Sequence, residues 1–248
     1  MIITDSHLHI FQCARLPDFD GEYFASSCSH SKEEFSGSIA LCSAANKKTH
    51  ITHGFGIHPQ NPDPKNAEYI EELLQKKAIA FIGETGFDFY TEDFKKTRDA
   101  QELCFEIQIS LAEKYKVPIV VHCRKAIDRI FASSDRLRRL ESVIFHSFPA
   151  DANQAASLLR RGINAYFSFG KPLLNNKKSA IECVSKLDLN RILFETDAPF
   201  QTLKGEAFTD PADIFKVCKR AGLIKKIPQE ELCERVFLNY KKAFMLKT

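Results

Sequence analysis

Along most of the chain, short apolar runs alternate with longer stretches whose apolar residues recur every three or four positions. The first pattern predicts buried strands and the second predicts helices. Strands are expected at 2–5, 38–43, 51–57, 78–83, 117–122, 142–146, 163–169 and 191–195. Helices are expected at 64–77, 94–115, from strand five through 138, at 151–161, 177–187, 211–220 and 228–244. Residues 11–37 are polar, with Pro17, Gly21 and several serines, and predict a long loop with a short helix near 32–35.

Strands that are apolar throughout, rather than alternating, mark parallel strands covered on both faces. Eight such strands, each followed by a helix in a chain of 248 residues, predict an α/β fold, a (β/α)8 TIM-type barrel forming a single domain over 1–248. An open doubly wound sheet is the alternative. It loses weight because the chemistry-bearing residues sit at strand ends that only closure brings together.

Those residues interrupt apolar runs with metal-capable side chains. Asp5-Ser6-His7-Leu8-His9 follows strand one. Because strand side chains alternate faces, His7 and His9 point the same way and can grip one cation. Glu84 follows strand four, His122 ends strand five, His146 ends strand six and Asp197 follows strand eight. Closing the barrel sets strand eight beside strand one, so Asp197 joins His7 and His9. His122 and His146 are neighbours, with Glu84 bordering them and able to reach toward the first group.

Four imidazoles and two carboxylates without a thiolate suit divalent ions such as Zn, Mn or Fe, whereas Mg prefers more oxygen. Two such ions about 3.5–4 Å apart clamp the attacking and leaving oxygens of a displacement. Asp197 and Glu84 are the expected catalytic carboxylates. Asp197 either orients the attacking water and takes its proton or serves as a ligand, and both roles stay open. Asp5 and Glu195 face the same interior by strand period and are expected to orient ligands, and Asp88 is expected to buttress the loop carrying Glu84. His58, at the end of strand three, is expected to reach a substrate phosphate or to protonate a leaving group, and Arg124 to fork onto a phosphate. His30, His50 and His53 lie in loop or mixed context and read as ordinary satisfied polar residues.

Composition narrows the classes. A net charge of +3 with 27% charged residues is too mild to mark a nucleic-acid binder by itself. Hydrophobic residues at 44% can fill a large core, and no stretch approaches the about 20 apolar residues of a membrane span. The eight cysteines have irregular spacing and no CxxC pair, and Met1 runs into a strand without a signal-like segment. Reduced thiols and a cytoplasmic location are expected.

These motifs resemble the TatD-family metal-dependent hydrolases, the TatD-related DNases. The resemblance rests on Asp5-Ser6-His7-Leu8-His9, Gly56-Ile57-His58-Pro59, Gly83-Glu84-Thr85-Gly86-Phe87-Asp88, His122-Cys123-Arg124, His146-Ser147-Phe148 and Glu195-Thr196-Asp197-Ala198-Pro199. It implies a TIM-type barrel, His7, His9, Glu84, His122, His146 and Asp197 as ligands of two divalent ions (Mg, Mn or Zn), and hydrolysis of DNA phosphodiesters. Two departures stand out, the first being that residues 11–37 lack the regular strand-helix pattern expected between strands one and two. Residues 200–211 carry no arginine, so Lys204 is the expected point charge toward phosphate in that loop.

The leading expectation is therefore a monomeric deoxyribonuclease with DNA as its partner and no membrane association. A hydrolase of amides, esters or small phosphate esters on the same scaffold is the alternative. A metal-binding protein without catalysis is the third reading, and six intact ligand positions argue against it.

Overall fold

The computed structural model describes residues 1–43 and 45–246. Its strands are β1 (Ile2–Leu8), β2 (Glu22–Ser29), β3 (Thr49–Phe55), β4 (Phe81–Asp88), β5 (Ile119–Arg124), β6 (Val143–Phe145), β7 (Ala165–Phe169) and β8 (Ile192–Phe194). They pair in parallel in the order β1 to β8. The helices between them are α1 (Lys32–Ser43), α2 (Ala67–Gln75), α3 (Glu92–Lys96), α4 (Arg98–Tyr115), α5 (Ile127–Ala132), α6 (Ser134–Leu137), α7 (Ala152–Arg160) and α8 (Lys178–Lys186). After β8 come α9 (Ile214–Lys225) and α10 (Gln229–Ala243). This is the expected (β/α)8 barrel.

The seam between β1 and β8 is closed by a few specific bonds. The Asp197 N–H donates to the carbonyl of His7 at 2.9 Å, and the His9 N–H donates to the carbonyl of Ala198 at 2.8 Å. Beneath them the buried Asp5 carboxylate accepts from the Thr196 N–H at 2.9 Å and the Thr196 hydroxyl at 2.6 Å. It also accepts from the Tyr23 hydroxyl at 3.2 Å. Asp5 therefore ties β1 to β2 and to the segment after β8. The expectation that it orients an imidazole is corrected, since its contact with His7 is to the backbone N–H at 3.3 Å.

The second strand is also corrected. It lies at Glu22–Ser29, inside the segment expected to be a loop, and the apolar run expected as strand two at 38–43 belongs to α1. Ser26, Ser27 and Ser29 of β2 are fully buried. Two of them find partners outside the strand: Ser26 donates to the Tyr240 hydroxyl at 2.8 Å and Ser27 accepts from the Ile10 N–H at 3.3 Å. Serines bonded in this way can replace apolar residues in a buried strand. Conversely, Ile39 and Leu41 of α1 are exposed, so their apolar character reflects no strand core. The Glu34 N–H donates to Ser31 Oγ at 3.1 Å, the bond expected of a Ser-x-x-Glu helix start. That spacing was the available signal for α1.

The interior is filled by large rings, with Phe55, Phe81, Phe87, Phe145, Phe167 and Phe194 all buried. None of the described helices is long and apolar enough to cross a membrane.

Candidate metal centre

Glu84 lies within β4 rather than after it, because that strand continues to Asp88. Gly86 explains how the strand can pass so near its neighbour. Its φ is +131°, and a Cβ there would lie 2.1 Å from the carbonyl oxygen of His122. The motif Gly83-Glu84-Thr85-Gly86 thus admits a close approach of β4 to β5 beside the carboxylate.

The two oxygens of Glu84 face different imidazole groups. Oε1 lies 3.5 Å from His7 Nε2 and 3.3 Å from His9 Nε2. Oε2 lies 2.9 Å from His146 Nε2 and 3.3 Å from His122 Nδ1. Asp197 Oδ1 completes the first group, 3.3 Å from His7 Nε2 and 3.6 Å from His9 Nε2. Asp197 reaches this position with a left-handed backbone, φ 55°, a conformation that Asp tolerates better than most residues. The structure thus brings together all six residues expected as ligands.

The far ring nitrogens decide what each imidazole presents. His122 Nε2 lies 3.1 Å from Asp88 Oδ2, which favours the tautomer that leaves Nδ1 bare toward Glu84 and His146. Asp88 therefore orients His122 directly, beyond the loop-buttressing role expected for it. Asp88 also accepts from Gln60 Nε2 at 2.8 Å and from the Tyr90 N–H at 2.9 Å. Burial pushes its carboxyl up, but the His122 and Gln60 bonds outweigh that and hold it well below the usual range. Glu195 Oε1 lies 3.4 Å from His146 Nδ1 and accepts the Ser147 N–H at 2.7 Å. His7 Nδ1 lies 3.4 Å from the Cys28 thiol. Asp88 and Glu195 thus lie behind two of the rings, as carboxylates commonly do behind metal-binding imidazoles, and the Cys28 thiol lies behind a third.

His58 differs in tautomer. Its Nδ1 accepts the Gln60 N–H at 3.2 Å, so the neutral ring carries its proton on Nε2, 3.7 Å from Glu84 Oε2. Burial holds its pKa well below the ordinary value, which keeps the ring neutral. His58 is therefore a hydrogen-bond donor facing the cavity, although it clusters with Glu84 and His122 closely enough for a shared ion. His30 does the reverse. Its Nδ1 lies 3.1 Å from the carbonyl oxygen of Gly56, so its proton is there and Nε2 faces Glu84 Oε1 at 3.1 Å. Its own N–H donates to the buried Glu34 carboxylate at 2.7 Å. The ordinary-polar reading of His30 is thus corrected, since it belongs to the centre. The signal was its place directly after β2, hidden because that strand was read as loop. His50 stacks on Phe24 and His53 packs near Phe35, and neither lines the cavity.

These groups suit divalent cations. His7 Nε2 is buried without a hydrogen-bond partner, and the ligand atoms of His7, His9 and Glu84 lie within 4.8 Å of one another, as do those of His7, His146 and Asp197. Without a cation the charges are met by protons. Burial and His7 push the His146 pKa down, but Glu84 and Glu195 raise it to about 10. Burial pushes Glu84 up, while the charges of His7 and His146 outweigh it and hold Glu84 well below its usual range. Bare imidazole nitrogens and buried carboxylates converging on one point are what hard or borderline divalent ions bind.

The centre opens into a cavity of about 550 Å³ whose walls include His30, His58, Arg124, Lys177, Phe200 and Gln201. Arg124 lies 3.6 Å from Asp88 Oδ2 and 3.9 Å over the Tyr90 ring. Lys204, expected to face phosphate, is exposed and is not among the lining residues, whereas Lys177 after β7 is. The loop that holds Lys204 is fastened elsewhere. Buried Lys171 pairs with Glu206 and, at 2.6 Å, with Asp213.

Comparison with known proteins agrees with this geometry. A sequence profile of the family described as TatD related DNase matches residues 4–245. An uncharacterized metal-dependent hydrolase of Mycoplasma pneumoniae is 31% identical over 205 residues, covering 77% of each chain. The uncharacterized metal-dependent hydrolase YabD of Bacillus subtilis is 29% identical over 204 residues, covering 79% of this chain and 78% of its own. The crystal structure of YjjV, a TatD homologue from Escherichia coli, superposes with a TM-score of 0.80 at 20% identity over 99% of this chain and 98% of that one. A profile matched over nearly the whole barrel, with a cluster of His, Glu and Asp side chains fit to bind metal, places this chain in the TatD family of metal-dependent hydrolases.

Proposed function

We propose that this protein is a deoxyribonuclease that hydrolyses DNA phosphodiesters with two divalent ions, acting on ends or single strands. The observation that carries this reading is the split of Glu84, one oxygen toward His7 and His9 and the other toward His122 and His146. A carboxylate placed between two imidazole groups suits a bridge between two cations.

When bound, the ions activate water and neutralise charge on the phosphoryl oxygens. His7, His9 and Asp197 would hold one, and His122 and His146 the other, with Glu84 shared. Asp197 Oδ2 accepts from Gln201 Nε2 at 2.7 Å, which leaves Oδ1 directed at the imidazoles. Asp197 is the carboxylate placed to orient water and take its proton. Neutral His58 donates its Nε2–H to a phosphoryl oxygen. Arg124, held over Tyr90, adds a guanidinium at the cavity wall.

The proposed unit of action is the monomer, whose own side chains supply all six expected ligand positions. Eight unpaired cysteines support a reducing compartment, the cytoplasm. The cavity volume favours one second reading, hydrolysis of a small ester or amide, since about 300–1,000 Å³ suits a small ligand.

The test is purified protein, stripped with EDTA and reloaded with Mg, Mn or Zn, on labelled single- and double-stranded DNA. Metal-dependent cleavage is expected. Turnover of small esters or cyclic amides without cleavage of any DNA would replace this reading with the second.

A further inference from the structure

The wall of the centre beside Asp197 is aromatic. Phe200 is 47% exposed, yet it is held in place. Its N–H donates to the Asp197 carbonyl at 2.7 Å, and the next residue, Gln201, is bonded to the Asp197 carboxylate. The loop behind it is closed by the Thr209 N–H on the Pro199 carbonyl at 2.9 Å and by the Lys171 ion pairs. The Phe200 ring stands nearly perpendicular to His9, with centroids 5.1 Å apart. A large apolar ring is thus kept partly in water next to a cluster that binds cations and hence anions. Phe200 lines the cavity, so its exposed side faces whatever enters it.

The same loop carries no arginine from 200 to 211, so it offers no guanidinium to a phosphate. What it offers is an aromatic ring packed against the His9 imidazole and bordering the cavity. Elsewhere on the wall, Arg124 lies over Tyr90, which is 51% exposed, and Lys125 lies 4.7 Å from the same ring. The cavity wall thus carries cations at Arg124 and at Lys177, with the Phe200 ring as its aromatic contact.

We propose that Phe200 is a stacking platform for the nucleobase attached to the scissile phosphate, so that the centre selects a strand whose base is unpaired. This rests on the phosphodiesterase reading above. A base in a duplex is already stacked and paired, and must leave the helix to meet a fixed ring. An unpaired base meets it without that cost. Stacking on an aromatic ring tolerates any base, so the preference is for single-strandedness rather than sequence.

The test uses a dithymidine phosphodiester and the same diester with either base replaced by hydrogen, with the Mn-loaded enzyme and separate KM and kcat. For wild type, loss of the base beside the scissile bond is expected to raise KM about tenfold, within the range known for base–aromatic stacking. In Phe200→Leu and Phe200→Ala that ratio falls to near one, and Phe200→Trp retains it. Circular dichroism and Mn affinity of each variant separate loss of the ring from collapse of the site. A wild-type ratio of one overturns the platform whatever the variants do, as does a Leu variant that keeps the wild-type ratio. If wild type cleaves neither these diesters nor labelled single-stranded DNA, the phosphodiesterase reading itself fails; if it cleaves the DNA and shows no dependence on the base, only the platform fails.

Discussion

Asp88 Oδ2 lies 3.1 Å from His122 Nε2 and fixes which nitrogen of that ring faces Glu84. An amide at position 88 could present its NH2 to His122 and favour the wrong tautomer. Asp88→Asn is therefore expected to weaken divalent binding about 10- to 100-fold while leaving the fold intact. Titration with Mn and a thermal melt in EDTA separate the two effects. Wild-type affinity would show that His122 does not depend on this carboxylate.

Glu84 meets both imidazole groups, so its loss would remove the proposed shared ligand. Glu84→Gln keeps the volume and the strand but removes the charge. The variant is expected to bind fewer metal ions per chain and to lose at least about a thousandfold in kcat. Elemental analysis and steady-state rates check this. A variant with full metal content and near-normal turnover would remove Glu84 from the centre.

Metal-free protein is expected to show a distinctive pH dependence. The folded His146 pKa is about 10 against an ordinary 6.5, so its stabilising contribution is complete below about pH 6.5 and is lost as pH rises toward 10. Glu84 and Asp197 are shifted down, so their contribution is present above the ordinary carboxylate range and is lost as pH falls. Urea midpoints of EDTA-treated protein should therefore peak near pH 5–6 and decline toward alkaline pH. Metal uptake displaces the His146 proton, so affinity should rise with pH, with proton release seen by calorimetry in buffers of different ionisation heat. A flat midpoint from pH 6 to 9.5 contradicts the shift.

Asp5 and Thr196 close the barrel in its interior. Asp5→Ala leaves the Thr196 N–H, its hydroxyl and the Tyr23 hydroxyl buried without an acceptor. The expected cost is about 2–4 kcal/mol, seen as a lower denaturant midpoint. Metal affinity should fall with it, because His7 and Asp197 stand on the two sides of that seam. An unchanged midpoint would mean that the seam holds without the carboxylate.

His30 is expected to matter although it lies outside the six motif residues. His30→Ala removes the ring 3.1 Å from Glu84 Oε1. Weaker binding of Co at the His7–His9 side, read from its visible absorption, is the expected result. An identical spectrum and affinity would return His30 to an ordinary polar role.

The linear order of residues determined the barrel and the six side chains that converge in it. Continuous apolar strands must be buried on both faces, and the period of two puts His7 and His9 on one side. Buried serines hid β2, because their hydrogen-bond partners, Tyr240 and Ile10, come from outside the strand. With β2 went His30. Only the tertiary structure decided the tautomers, since which nitrogen of His58, His30 or His122 carries the proton depends on groups from other segments or on a local loop bond: Gln60, Gly56 and Asp88. It also decided that Asp5 serves the seam rather than an imidazole, and that Phe200 and Lys177, not Lys204, face the cavity. Periodicity shows which side of a strand a residue is on. It does not show where a loop folds back, because loop direction is set by distant contacts such as the pairing of Lys171 with Asp213.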